Sequence, residues 1–120
     1  MAEATFLAPR VRELLLGTAD YIDKHGLYQK GGYGIAGGPC CALGSLRMLM
    51  VGDPREVPKD RDEYQVYVLA QDVMCDLGRQ AGAWGVFGWS DGAANPAEIT
   101  GALRAAAESV TELRRLWAGY

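Results

Sequence analysis

The sequence predicts a mainly α-helical domain of four helices joined by glycine-rich connections. Apolar residues recur at intervals of three and four along four segments, which is the helical period. The strict alternation typical of half-buried strands is missing. Of the 16 glycines, 11 lie in two stretches between these segments, residues 26–38 and 78–92. We therefore expect helices that support two irregular loops, with at most a small β hairpin at Leu27–Ile35 or a two-stranded piece that joins the two stretches.

The first three helices are defined by their apolar faces and their ends. The first is predicted over about Pro9–His25, with the proline in its first turn and Gly26 just beyond its end. The second, about Cys41–Val51, is apolar on nearly every side, which predicts a buried central helix. The third, about Asp60–Leu77, has acids in its first turn, where the helix dipole favours them.

The fourth helix carries the clearest start signal. Asn95-Pro96-Ala97-Glu98 supplies a capping residue, a proline at the first position and a capping-box acid. Several alanines on this helix permit close approach of a neighbour, and we expect the second and fourth helices to pack together at the centre. The predicted buried stripes are Val11, Leu14, Leu15, Thr18 and Ile22 in the first helix, Tyr64 or Val66 with Leu69, Val73 and Leu77 in the third, and Ile99, Leu103, Ala106, Val110, Leu113 and Trp117 in the fourth.

Composition narrows the possible functions. A chain of 120 residues with 49% hydrophobic and 22% charged residues predicts one globular domain over residues 1–120, not a disordered segment. The net charge of −3, without a basic cluster, disfavours nucleic acid as a partner. No apolar run is long enough for a membrane span, and the acidic N-terminus is not typical of a signal peptide. Three cysteines, two of them adjacent, predict a reduced, cytoplasmic protein.

One glycine motif matches the sequence pattern of a dinucleotide-binding site but lacks the structural context that such a site needs. Residues 32–37 read Gly-Tyr-Gly-Ile-Ala-Gly, which fits G-x-G-x-x-G. The dinucleotide site needs a buried strand before the motif and a parallel sheet around it, because the pyrophosphate rests on the following helix N-terminus. Residues 27–30 are not a buried strand. We therefore expect no cofactor.

Cys41 opens the second helix and is the one candidate nucleophile. A thiol at a helix N-terminus can ionise easily, because unpaired N–H groups face it. Its base would have to be His25, the sole histidine, with Asp91 to orient it and Gln29 as an oxyanion donor. Free cysteines are usually buried small hydrophobes, so we expect the Cys41 thiol to be buried and far from His25. One histidine and three cysteines without a C-x-x-C spacing predict no metal site.

The tryptophans are the strongest candidates for binding residues. Trp89 and Trp117 are predicted to fill the core, whereas Trp84 and Phe87 lie among glycines and predict an exposed contact patch. A ligand pocket is the other possibility, formed where residues 28–41 meet residues 84–91. The candidate binding residues are Gln29, Tyr33, Cys41, Trp84, Phe87, Trp89 and Asp91.

Three motifs taken together resemble a known family. They are His25-Gly26-Leu27-Tyr28-Gln29, then Cys40-Cys41-Ala42-Leu43-Gly44-Ser45-Leu46, then Gly88-Trp89-Ser90-Asp91 before the last helix. This order resembles a family of small uncharacterised domains found in actinobacteria and their phages, over residues of about 11–108. The family pattern has a tryptophan near the position of Tyr28 and an asparagine at the position of Ser90. The resemblance implies a bacterial or phage cytoplasmic protein and no established activity.

Three functions remain open at this stage. The first is a non-catalytic accessory protein, of phage or actinobacterial origin, that binds a protein partner through its aromatic and glycine-rich loops. The second is a small-molecule or nucleotide-binding domain that uses the predicted pocket. The third is a cysteine-dependent hydrolase or transferase that uses Cys41. The first function fits best, because the domain is small and lacks a convincing set of catalytic residues. The sequence does not indicate an oligomeric state.

Overall fold

The computed structural model describes the backbone of residues 2–110 and the side chains of residues 8–110. This part of the chain is mainly helical, with five helices where the sequence predicts four. Leu113 and Trp117, predicted to lie in the core, are outside the described residues. The helices are α1 (Ala2–His25), α2 (Ala42–Val51), α3 (Arg61–Gln80), α4 (Val86–Gly92) and α5 (Pro96–Glu108).

Helix α1 is the central element of the fold. It makes its most extensive contact with α5 and also contacts α2 and α3. The stripe predicted on α1 faces this core, because Val11, Leu15, Thr18 and Ile22 are all buried. The prediction that the second and last helices pack together at the centre is wrong, since α1 contacts both of them and takes that place. The predicted start at Pro9 is also wrong: Pro9 lies inside α1, because a proline removes one backbone hydrogen bond without necessarily ending a helix.

Helix α2 is buried only in its first half. Residues 42–46 are buried, whereas Leu49 and Val51 are 42% and 39% exposed. The expected all-round burial is therefore confirmed at the N-terminal end only. The physical reason is that α4 and the loop before α2 close over this end of the helix, which leaves its last turn at the surface.

Helices α3 and α5 begin where the sequence predicts. The Asp60 carboxylate caps α3 by accepting hydrogen bonds from the amides of Asp62 and Glu63. The Asn95 side chain caps α5 by accepting from the Glu98 amide at 3.2 Å. In α3 the predicted Val66 and Leu69 are buried, and Tyr64, the alternative to Val66, is exposed. Further along the helix the prediction is displaced by one residue, because Met74 and Gly78 are buried while Val73 and Leu77 are only partly buried. The buried residues on the two helices include Val66, Tyr67, Leu69, Ala70, Met74, Ile99, Leu103 and Ala107.

Helix α4 forms inside a stretch that the sequence predicts to be an irregular connection. Its seven residues include two glycines, which are poor helix formers. Packing overrides this low propensity: Val86, Trp89 and Ser90 are buried, and α4 contacts α3 and α2. The tertiary environment therefore stabilises a helix that local preferences do not favour.

The first glycine-rich stretch forms a loop without a hairpin. Within residues 2–110 the β structure is limited to two isolated bridges, which pair Leu27 and Gly34 with Cys40. Gly34 has a φ of 107°, and a Cβ there would lie 2.4 Å from the Cys40 Cα. The loop therefore folds tightly back on Cys40, and the predicted hairpin at Leu27–Ile35 is wrong. Among the described helices, none combines the length and the apolar character needed to cross a membrane.

Candidate binding surface

The N-terminus of α2 is capped by two side chains. The Cys41 Sγ accepts a hydrogen bond from the Gly44 amide at 3.3 Å, as an N-cap residue does. The Ser90 hydroxyl of α4 accepts another from the Ala42 amide at 3.0 Å. Both contacts are buried, so they satisfy amides that water does not reach. Ser90 therefore joins α4 to α2, whereas Cys41 caps its own helix.

Cys41 has the environment of a structural thiol. Its side chain is fully buried, and burial raises its pKa above the usual 9.0. Hydrogen bonds from the Gly44 and Leu43 amides oppose this rise, whereas the nearby Asp91 charge adds to it. The expected burial of Cys41 is confirmed. A buried thiol with a raised pKa is a poor nucleophile at neutral pH.

Gln29 holds the C-terminal end of α4. Its Nε2 lies 2.8 Å from the Ala93 carbonyl oxygen, 3.2 Å from that of Ser90 and 3.4 Å from that of Asp91. Backbone carbonyls at a helix end lack partners within the helix, and a side-chain amide can donate to them. Gln29 thus joins the two glycine-rich stretches, as the predicted common site requires. Its amide, however, is occupied by hydrogen bonds to the backbone of α4.

Asp91 is half-buried beside the start of α2. Its Oδ1 is buried and has no hydrogen-bond partner within residues 8–110. It lies close enough to Cys41 to raise the pKa of that thiol, in addition to the larger effect of burial. Asp91 therefore contributes a negative charge at the helix N-terminus, where the α2 dipole favours one.

Tyr33 is positioned by its own backbone. Its carbonyl oxygen accepts a hydrogen bond from the Cys41 amide at 3.0 Å and lies directly over Gly44. A Cβ at Gly44 would be 2.2 Å from this oxygen, so only glycine permits the contact. The Tyr33 ring then meets Phe87 edge to face, with 5.1 Å between the ring centroids. The loop and α4 thus present two adjoining aromatic side chains.

Arg47 completes this cluster from α2. Its guanidinium carbon lies 4.4 Å from the centroid of the Tyr33 ring, and its Nε donates to the Tyr67 hydroxyl at 2.8 Å. Tyr67 in turn lies beside the exposed Tyr64, with 5.9 Å between ring centroids. Stacking of arginine on an aromatic ring is favourable and orients the guanidinium.

Trp84 projects from a hydrogen-bonded turn between α3 and α4. Its indole is fully exposed, and Phe87, three residues on, is 38% exposed. The backbone on both sides of Trp84 is held: the Ala83 amide donates to the Gly78 carbonyl at 2.8 Å, and the Gly85 carbonyl accepts from the Trp89 amide. Gly85 also packs closely on Gly78: a Cβ added at Gly78 would lie 2.7 Å from the Gly85 carbonyl oxygen. Tyr33, Trp84 and Phe87 are called the aromatic patch below.

An open groove of about 710 Å³ lies between the end of α3, α4 and the start of α5, and no residue of the aromatic patch lines it. Leu77 and Trp89 contribute its large apolar side chains, and Glu98 its charge. Of the residues predicted to line a pocket, only Trp89 lines this groove. Cys41 is fully buried and does not line this groove.

The structure divides the seven candidate residues into two groups. In the first group, Cys41, Gln29 and Asp91 lie at the junction of α2 and α4. The buried Trp89 belongs to the same group and packs against Gly78 of α3. The aromatic patch lies at the surface, and the exposure expected for Trp84 and Phe87 is confirmed. Arg47 is not among the residues predicted from the sequence. One sequence feature could have indicated it, because it is the single charged residue of a mainly apolar helix.

Fold and surface together define a small helical domain with a cluster of surface aromatics. His, Cys, Asp and Glu side chains in the described part of the chain form no group of three that could hold a metal ion. The chain belongs to a family of unknown function, DUF6197, whose model matches residues 7–109. This match supports the resemblance to a family of uncharacterised domains over nearly the same residues. No curated protein and no solved structure matches the chain significantly.

Proposed function

We propose that this domain is a non-catalytic interaction protein that binds a protein partner through its aromatic patch, with Trp84 as the anchor. The observation that carries this proposal is the fully exposed indole of Trp84 on a turn whose backbone is fixed on both sides. Exposing a large apolar side chain to water is unfavourable, and tryptophan is the residue most enriched at binding hot spots. A rigid backbone lowers the entropy lost when the indole enters a partner's pocket.

The neighbouring side chains fit this role. Phe87 and Tyr33 form an edge-to-face pair, and both are partly accessible. Aromatic residues and arginine are enriched in interface cores, whereas lysine and acidic residues are depleted there. The patch and the adjacent Arg47 have this composition.

The resemblance to small domains of actinobacteria and their phages extends the proposal to origin and place of action. We propose an accessory factor of phage or actinobacterial origin that acts on a protein in the bacterial cytoplasm. Three cysteines without a paired framework, at Cys40, Cys41 and Cys75, support a reducing compartment.

The test is affinity capture from an actinobacterial lysate with the tagged full chain and a Trp84→Ala variant. We expect the variant to recover a specific partner at least about tenfold less well, since hot-spot truncations cost ~2 kcal/mol or more. With the captured partner purified, acrylamide quenching of the Trp84 indole should fall on binding.

Leu49→Ala is the matched control. Leu49 is also exposed, but it lies on the face of α2 next to Gly17 of α1, away from Arg47. This variant should recover the partner as well as wild type. Equal recovery by the Trp84 and Leu49 variants would remove the aromatic patch from the proposal.

Small-molecule binding is the second candidate, favoured by the groove between α3, α4 and α5. The described residues that line it include Glu98 and no lysine or arginine. We therefore propose a neutral or cationic ligand there, because a nucleotide phosphate would face a carboxylate. A thermal-shift screen tests this, since a ligand that binds only the folded state must raise the melting temperature. Nucleotides should have no effect.

A further inference from the structure

Arg47 is a cation held in a fixed position without an acidic partner. Its Nε hydrogen bond to Tyr67 and its stacking on Tyr33 restrain the guanidinium from two sides. In the described residues the ion pairs are made by Arg10, Arg79 and Arg104, and no carboxylate lies within ion-pair distance of Arg47. The charge is half-buried among aromatic rings and lacks a counter-ion within this part of the chain.

The chemistry that suits this arrangement is a carboxylate. One face of the guanidinium lies against Tyr33 and its Nε already donates to Tyr67, so a ligand must approach the edge formed by the two Nη groups. A carboxylate can accept two parallel hydrogen bonds from that edge, which is the strongest pairing that arginine makes. Aromatic surroundings exclude water, so the pair is less screened than at an open surface.

The surroundings also indicate a protein source for this carboxylate. Tyr33 and Tyr67 contact Arg47 directly. Phe87 adjoins the Tyr33 ring and the exposed Tyr64 adjoins the Tyr67 ring, so apolar surface continues on both sides. A nucleic acid would need a cluster of cations, and the chain carries a net charge of −3. An acidic side chain with apolar neighbours in a polypeptide matches both features.

We infer that Arg47 is the specificity-determining contact of the aromatic patch and that it pairs with an Asp or Glu carboxylate of the protein partner, flanked there by apolar residues. This inference rests on the proposed function, because it names the chemistry of the partner that the Trp84 patch would bind. Trp84 supplies apolar anchoring, and Arg47 selects an acidic segment over a neutral one of the same shape.

The test uses two blocked pentapeptides, Leu-Glu-Phe-Glu-Leu and its neutral analogue Leu-Gln-Phe-Gln-Leu, titrated into the ¹⁵N-labelled full chain. We expect the acidic peptide to shift the Arg47 Nε–H resonance saturably and to bind at least about tenfold more tightly than the neutral one. Added salt should weaken its binding. No saturable shift, or equal affinity for both peptides, would overturn the inference.

Three variants separate charge, geometry and folding. Arg47→Gln should abolish the preference for the acidic peptide, and Arg47→Lys should weaken it, because an ammonium cannot pair through two N–H groups of a fixed fork. Arg12→Gln removes the same charge from an exposed site on α1 and should bind like wild type. Thermal melts confirm that each variant is folded, and an Arg47→Gln protein that still prefers the acidic peptide contradicts the inference.

The capture experiment distinguishes the two proposals. If the partner is lost with Trp84→Ala but retained by Arg47→Gln, the inference fails while the proposed function stands. If neither variant loses a partner, the proposed function fails, whatever the peptides show. Loss of the same partner by both variants supports both proposals.

Discussion

The Ser90 hydroxyl accepts a hydrogen bond from the Ala42 amide at 3.0 Å, across 48 positions of the sequence. Through this bond a short helix, α4, caps the N-terminus of another, α2. Gln29 makes the converse contact, because its amide donates to carbonyls at the end of α4. The elements that present the aromatic patch are thus held by side chains from distant parts of the chain.

Ser90→Ala should destabilise the protein by about 1–3 kcal/mol, because it leaves the buried Ala42 amide without an acceptor. Urea unfolding followed by circular dichroism measures this loss. Ser109→Ala is the matched control: Ser109 is exposed, so its change should stay within about 0.5 kcal/mol. Similar midpoints for the two variants would show that the cap contributes nothing to stability.

Gly44→Ala and Gly101→Ala should change stability in opposite directions. A Cβ at Gly44 would lie 2.2 Å from the Tyr33 carbonyl oxygen, so the loop must move, at a cost of about 1–3 kcal/mol. Gly101 lies in α5 with no atom within 4 Å of such a Cβ, and alanine there should stabilise by about 0.4–1 kcal/mol. Gly44→Ala should also shift the amide resonances of Tyr33 and Phe87. A stabilising Gly44→Ala would contradict the packing of Tyr33 on α2.

Acid should remove the contribution of the Arg10–Glu63 ion pair, which joins α1 to α3. The hydrogen bond from Arg10 lowers the pKa of Glu63 below its ordinary 4.5. The stabilisation is therefore complete above the unfolded-state pKa and is lost as the pH falls through the lower, folded-state pKa. Both side chains are about two-fifths exposed, so we expect at most ~1 kcal/mol.

A double-mutant cycle of Arg10→Gln and Glu63→Gln measures this coupling at pH 7 and again well below pH 4.5. The coupling free energy should be present at the higher pH and absent at the lower one. A coupling that is unchanged by acid would exclude the ion pair as its source.

Cys41 should alkylate more slowly than Cys75 in the folded protein. Cys41 is fully buried and burial raises its pKa, whereas Cys75 is only partly buried. Iodoacetamide labelling across the pH range, with sites assigned by mass spectrometry, measures both rates, and labelling in urea gives the unfolded control. Faster labelling of Cys41 at neutral pH would revive the hypothesis of a cysteine-dependent hydrolase or transferase.

The long helices were predictable because their signals are local. The apolar face of α1, the acids at the start of α3 and the cap at Asn95 act within one or two helical turns, so the sequence shows them directly. Exposure of Trp84 and burial of Cys41 were also predictable, the first from its glycine neighbours and the second from the usual behaviour of free cysteine.

By itself, then, the sequence determined that the chain is mainly helical, where α3 and α5 begin and α1 ends, and that both glycine-rich stretches hold aromatic residues. Only the tertiary structure decided that α4 is a helix, that α1 is central, and that Arg47 stacks on Tyr33 beside Phe87. The physical reason is the distance along the sequence over which each kind of interaction acts. Helical periodicity and caps depend on neighbours within four residues, whereas these contacts join residues that are far apart in the sequence and follow no local pattern.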